Sequence, residues 1–405
     1  MHKNVLKRIK PSRKEELELK DVAKEVMSKI KIPNTVVELG GSSAKGTWLK
    51  GNHDIDIYVK FNPKYYEGMN ISETLQKVVK KATVVHGSRD YLQLEVREFE
   101  IELIPIININ DVEDADNITD ISPFHKKWVL QYKQYADDIR LAKAFAKANG
   151  LYGAESYIRG FSGYSIEVLT IYYKGFDNLI KNVAKWKTKT VLDIEKHHRG
   201  RVRLNKSKTV SPLIVIDPVQ STRNVTAVVS REKYNLFKKI AKKYLKNPSD
   251  EFFEAKQFSL NDLKKKRKNA KLICLKLEPL DGKRDVVGAK LLKSFEFMKR
   301  ELFLHDFSVK DAGWDWSEAA LLWFIVENKS LSSKVKHYGP PTDKKDRLKH
   351  FKEKWKGTKI KEEEGKSYVL INRKYKVPEK VLFDAVNNEY VTSRISQVIA
   401  QLIFK

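Results

Sequence analysis

Residues 39–59 read Leu39-Gly-Gly-Ser-Ser-Ala-Lys-Gly-Thr-Trp-Leu-Lys-Gly-Asn-His-Asp-Ile-Asp-Ile-Tyr-Val59. Val36-Val-Glu-Leu39 reads as a strand that runs into two glycines and a serine. Glycine lets the backbone approach a ligand closely and adopt positive φ. The amides of Ser42 and Ser43 then open a short helix whose N-terminus suits an anion, and Lys45 lies one turn in, where an ammonium meets a phosphate. Asp54 and Asp56 stand at i and i+2 of a second alternating strand, Asp54–Phe61, so they share one face about 6.6 Å apart. Two carboxylates on one face can hold a pair of divalent ions roughly 3.5–4 Å apart, the spacing of two-metal phosphoryl transfer.

Further elements follow outward from this stretch. Residues 13–30 have helical periodicity and Ser12 stands as an N-cap; 71–82 are expected to be helical. Tyr91–Arg97 and Phe99–Ile104 alternate, with Pro105 ending the second. The head is therefore read as a mixed α/β domain with a sheet of about four strands. Glu102 in Phe99-Glu-Ile-Glu-Leu-Ile-Pro105 is the candidate third carboxylate; Glu100 shares its face and is the alternative if the register shifts by two. Helices are expected over 136–149, stopped by Gly150, and around 163–174. Residues 185–210 read as a loop or short hairpin. A strand, Leu213–Ile216, stops at Asp217-Pro218, and Arg231–Leu245 is a basic amphipathic helix. Lys271–Leu277 begins a further α/β unit, with helices near 288–302 and the Trp- and Phe-rich region 314–326, and residues 384–404 read as a closing helix.

Taken alone, Asp-x-Asp in a strand is a solvated face and Gly-Gly-Ser a turn; strand, Gly-Ser, spacer, Asp-hydrophobic-Asp and a second acidic strand together form one chemical pattern. It is not a Walker A loop, since Gly41-Ser-Ser-Ala-Lys-Gly46 is followed by Thr47-Trp48. Gly160-Phe-Ser-Gly163 lacks the spacing of a nucleophile elbow.

Charge divides the chain. Of 405 residues, 79 are Lys or Arg and 52 Asp or Glu, a net of +27. Residues 1–140 hold 23 basic and 22 acidic side chains, whereas 141–405 hold 56 and 30. A near-neutral, carboxylate-rich head followed by a strongly basic body implies a polyanionic partner, RNA or DNA before a membrane surface. The one cysteine, Cys274, lies in an apolar stretch and reads as a buried small hydrophobe; it excludes an intramolecular disulfide and a Cys-based zinc site. The basic N-terminus has no apolar core behind it, so no signal peptide is expected, and no apolar run reaches the ~18 residues of a membrane span. A cytoplasmic protein follows. His197-His198 sit in a basic loop without acidic or cysteine partners, which argues against a metal. Lys264–Lys268 reads as a solvated or RNA-facing run.

The Gly-Ser…Asp-x-Asp pattern resembles the polymerase-β-like nucleotidyltransferase superfamily. Ile121-Ser-Pro-Phe-His125, Leu151-Tyr-Gly-Ala-Glu155, Arg159-Gly-Phe-Ser-Gly-Tyr164 and Asp217-Pro-Val-Gln-Ser-Thr-Arg-Asn-Val225 are similar, in order and separation, to the archaeal-type (class I) CCA-adding enzymes of tRNA. The resemblance covers residues 35–230 well and weakens beyond, where His337-Tyr-Gly-Pro-Pro341 and the basic helix after it look like the family's tail. It implies an α+β multidomain fold: a polymerase-β-like nucleotidyltransferase head (1–138), a helical neck with the base pocket (139–210), the first part of an α/β body (211–255), a basic tRNA-binding tail (256–375) and a C-terminal helix packing on the body (376–405).

The resemblance also implies roles. Asp54, Asp56 and Glu102 would be the catalytic, metal-binding carboxylates, with Mg²⁺ as cofactor. Ser42 and Lys45 would hold the triphosphate, His125, Lys143 and Tyr152 the phosphates and sugar, and Arg223 the incoming base. Two residues depart from the family's usual choice: Glu102 stands where Asp is common and Lys45 where Arg is common, the latter losing the bidentate fork. The implied reaction is untemplated addition of C, C and A to the tRNA 3′ end from CTP and ATP. Any self-association is expected to be a homodimer. Alternative readings are another RNA 3′-nucleotidyltransferase, such as a poly(A) polymerase, and a non-catalytic RNA-binding protein; intact Asp54, Asp56 and Glu102 argue against the last.

Overall fold

The computed structural model describes residues 2–200, 202–255 and 259–404. The chain forms two compact units, residues 1–256 and 257–405. In the first, β1 (Thr35–Leu39), β2 (Asp54–Phe61), β3 (Thr83–Val85), β4 (Tyr91–Val96) and β5 (Phe99–Ile107) form one sheet in the order β1-β2-β5-β4-β3. The β2–β5 pair is parallel and the others antiparallel. The sheet thus has five strands where about four were expected, the short β3 adding an edge.

Alternation along β2 and β5 divides the side chains. Ile55, Ile57 and Val59, with Ile101 and Leu103, bury one face against Leu19, Val22 and Val26 of the helix Arg13–Lys29. Each fully buried aliphatic side chain of this kind contributes about 1.5–3 kcal/mol. That helix starts at Ser12 through a complete capping box with Glu15. The opposite face keeps Asp54, Asp56, Glu100 and Glu102. Pro105 does not end β5, which runs on to Ile107. The ladder with β4 stops at Leu103, so no strand on that side asks Pro105 for an N–H.

In the same unit, the helices Ala136–Ala148, Gly163–Tyr172, Phe176–Val183 and Arg231–Lys246 surround a second core of Phe145, Phe161, Phe176, Tyr234 and Phe237. Residues 185–210 do not form a hairpin. Their strand β6 (Thr190–Leu192) pairs in parallel with β7 (Leu213–Val215), so the segments that leave both strands emerge at the same end.

The second unit holds a four-stranded sheet, β14-β8-β10-β9, made of β8 (Lys271–Pro279), β9 (Val309–Trp316), β10 (Ala320–Val326) and β14 (Ile395–Phe404). The helix Arg284–Leu304 belongs to this unit. So does a three-stranded sheet of β11 (Lys334–Pro341), β12 (Lys361–Glu363) and β13 (Lys366–Asn372) with the helix Lys345–Lys354. The Trp- and Phe-rich region is two strands.

The C-terminal helix expected over 376–405 is also corrected. Pro378–Val386 is helical, but Ile395–Phe404 is a strand on β8, and the segment belongs with 257–375 rather than with 211–255. Ile395, Val398, Ile399, Leu402 and Ile403 recur at helical spacing, which explains the misreading. Four of these five are β-branched, and the free edge of β8 offers ladder partners that a helix would leave unfilled.

Candidate active site

The carboxylate face is built by strand register. Asp54 lies opposite Glu100 and Asp56 opposite Glu102 across the parallel β2–β5 pair, and Gln93 of β4 lies opposite Glu102. Gln93 donates to Glu100. Glu102 therefore neighbours Asp56, while Glu100 neighbours Asp54 and has an amide partner of its own. Burial, then the charges of Asp56 and Asp54, push the Glu102 carboxyl up to about 7. Burial raises Asp56 as well, with Asp54 adding to it and Lys45 opposing. Among the described residues no three His, Cys, Asp or Glu side chains stand together as a ready-made metal site.

The helix Gly41–Lys45 is pinned directly over this face. Gly40 N donates to Asp56 O at 2.8 Å, and Gly41 N to the Tyr58 hydroxyl at 3.3 Å. Gly41 has φ +55°, and a Cβ there would stand 1.5 Å from Asp56 Oδ2. Only glycine allows the turn to sit so close to the carboxylate. Ser42 belongs to the same turn, its carbonyl accepting from Thr47 N at 3.0 Å.

Lys45 leads away from the turn to a group that sequence reasoning missed. Its Nζ donates to Glu167 Oε2 at 2.6 Å. Lys143 Nζ (2.7 Å) and Thr47 Oγ1 (2.7 Å) both donate to Glu167 Oε1. Glu167 is fully buried. Burial works to raise its carboxyl, but the ammonium groups of Lys143 and Lys45 outweigh this and hold it at about 2. A charge inside the apolar run Ser165-Ile-Glu-Val-Leu-Thr-Ile171 was the available signal, because a buried carboxylate requires partners.

The chain of contacts continues. Lys45 Nζ lies 5.7 Å from the Tyr164 ring centre, and the Tyr164 and His125 rings are 4.0 Å apart. Asp217 then gathers three side chains: the Tyr164 hydroxyl donates to Oδ1 at 3.1 Å, while His125 Nε2 (3.0 Å) and Arg223 Nη1 (2.6 Å) meet Oδ2. Burial pushes the His125 imidazole below its ordinary value, against the pull of Asp217. It also works to raise Asp217, which its hydrogen bonds and the Arg223 charge hold at about 2. Arg223 keeps 30% of its side chain exposed. Tyr152 lies near Lys143: a Cβ on Gly163 would stand 2.7 Å from the Tyr152 hydroxyl and 3.8 Å from Lys143 Cε. All the candidate residues thus gather around the turn and the neck helices.

Comparisons with known proteins place the chain in a family. Residues 19–139 match the nucleotidyltransferase domain, 137–254 the second domain of tRNA nucleotidyltransferase, and 268–402 the C-terminal domain of the CCA-adding enzyme. The CCA-adding enzyme of Nanoarchaeum equitans is 37% identical over 351 residues, covering 84% of this chain and 85% of that protein. This chain belongs to the CCA-adding enzyme family. The CCA-adding enzyme of Methanosarcina barkeri is 31% identical over 424 residues, 98% of this chain and 91% of its own length. Among solved structures, the Cid1 poly(U) polymerase shares the fold, with a TM-score of 0.50 at 15% identity over 63% of this chain and 98% of that one.

Membership of the CCA-adding enzyme family accords with the α+β multidomain architecture and the polymerase-β-like nucleotidyltransferase head. No helix among the described residues is long and apolar enough to cross a membrane.

Proposed function

We propose that this chain adds C, C and A, without a nucleic-acid template, to the 3′ end of tRNA in the cytoplasm, taking them from CTP and ATP. The observation that carries this reading is a three-carboxylate face under a glycine turn in a chain related to CCA-adding enzymes over most of its length. The RNA 3′-hydroxyl attacks the α-phosphorus. The new P–O bond forms as the bond to the pyrophosphate oxygen breaks, and the hydroxyl proton passes to a carboxylate of the trio.

Asp54, Asp56 and Glu102 fit Mg²⁺ by the chemistry of the donor set: oxygen ligands on one face whose mutual repulsion and burial raise Asp56 and Glu102. Bound there, Mg²⁺ supplies positive charge against the triphosphate and the leaving pyrophosphate. Ser42 and the Gly41–Lys45 turn take the triphosphate. Lys45 and Lys143, sharing Glu167, present one net positive charge to it, and Tyr152 and His125 flank phosphate and sugar. Arg223, oriented by Asp217, donates to the base.

The test is incubation with tRNA lacking its 3′ CCA. CTP alone should extend the tRNA by two residues, and CTP with ATP by three. Long homopolymer tails with ATP alone would favour a poly(A) polymerase instead.

A further inference from the structure

The loop that bears Arg223 is held from outside by residues to which the reaction gives no part. The loop leaves β7 at Asp217 and closes where Asp217 N donates to Arg223 O at 3.0 Å, beside an Ile216–Asn224 bridge. Three of its carbonyls accept side chains from the 193–210 segment. His197 Nε2 meets Pro218 O at 2.9 Å and His198 Nε2 meets Ser221 O at 2.7 Å. Lys208 Nζ donates to Thr222 O at 2.8 Å.

The fold prepares this clamp. β6 and β7 run in parallel, so both segments leave from one end, and Ile216 N donates to Leu192 O at 2.9 Å. Asp193 accepts the backbone N–H of His197 at 3.1 Å and of His198 at 2.9 Å, which fixes the origin of both rings. Arg203 N donates to His198 Nδ1 at 3.2 Å. That bond leaves the ring proton on Nε2, where the Ser221 carbonyl requires a donor. Glu195 accepts from Trp128 Nε1 at 2.8 Å, tying the segment to the helix that carries His125. A solvated basic loop has no reason to send three side chains to three carbonyls of one neighbour, and both histidine Nε2 atoms are spent on carbonyls rather than on a metal.

We infer that His197, His198 and Lys208 are positioning residues that fix the Asp217–Arg223 loop and so set which base is accepted. The inference rests on the reading of Arg223 as the base-contacting residue. A displacement of about 1 Å in such a group is enough to cost selectivity.

The test compares incorporation of CTP, ATP, UTP and GTP into tRNA lacking CCA by His198→Ala, His198→Gln, Lys208→Met and Arg223→Ala. His198→Ala should lower the preference for CTP over UTP roughly fivefold, as loss of one hydrogen bond implies. This should come through a raised KM for CTP with kcat less affected and tRNA affinity unchanged. His198→Gln, whose amide reaches the same carbonyl, should recover most of the preference. Lys208 is exposed, so Lys208→Met keeps the test available if His198→Ala fails to fold, and it should shift the preference in the same direction. Proportional loss with all nucleotides, the preference unchanged, while Arg223→Ala relaxes it, would overturn the clamp. An unchanged preference in Arg223→Ala as well would overturn the base-contacting reading and the clamp with it.

Discussion

Two carboxylate sites in the same unit have opposite electrostatics. Glu167 is buried between Lys45 and Lys143 and is held at about 2. Glu102 is largely covered too, but it faces Asp56 across β2 with Asp54 and Glu100 nearby, and it rises to about 7. One site has its cations built in; the other gathers anions. In the first the protein spends stability-grade ion pairing to aim two lysines. In the second it accepts repulsion on the face proposed to take the triphosphate and Mg²⁺.

The largest effect that bears on this contrast should come from Asp56→Ala. Losing a carboxylate of the trio should remove several kcal/mol of transition-state stabilisation, roughly a thousandfold in rate. Filter binding should show tRNA affinity nearly unchanged, since the basic residues lie elsewhere. Turnover near normal at ordinary Mg²⁺ would break the assignment.

Glu167→Gln should act first on folding. It leaves the buried Lys143 ammonium and the half-buried Lys45 ammonium sharing a neutral amide, at a cost of about 3–5 kcal/mol in denaturant unfolding at pH 7. A stability within 1 kcal/mol of the parent would show that the lysines do not depend on Glu167.

Glu102→Gln should then slow incorporation by roughly ten- to a hundredfold, and Glu100→Gln by no more than a few-fold. Glu102 neighbours Asp56, whereas Glu100 is engaged by Gln93. The reverse ranking would reassign the third carboxylate.

The smallest effect is on stability against pH. The Glu102 carboxyl is raised from 4.5 to about 7 in the folded chain, so between those values the folded state binds more protons than the unfolded one. Glu102 therefore costs stability as pH rises through that window. The melting temperature of Glu102→Gln relative to the parent should climb between pH 5 and 8. A flat difference would mean that Glu102 titrates like an exposed carboxyl.

Much of the head was legible in the sequence because its signals are local. The Gly-Ser turn, the Asp54–Asp56 alternation and the Ser12 cap each lie within one element. Register of β5 placed Glu102 where alternation suggested, and the parallel pairing supplied what alternation alone does not, the choice of Asp56 as its neighbour. Glu167 and Asp217 were not assigned a role because each is completed by a partner distant in sequence: 122 residues separate Glu167 from Lys45, and 92 separate Asp217 from His125. The strand Ile395–Phe404 was misread because its apolar spacing fits a helix, and the edge of β8 that decides otherwise lies more than a hundred residues earlier.

The claim at the centre of the contrast is that the acidic face awaits a divalent cation. Mn²⁺ titrated calorimetrically into the nucleotide-free protein at pH 6.5, in two buffers of different ionisation enthalpy, tests it directly. With Glu102 near 7, binding should release a substantial fraction of a proton. Glu102→Gln should lose that release and Asp56→Ala should lose the binding. Binding without proton release, or binding unchanged in Asp56→Ala, would contradict the account.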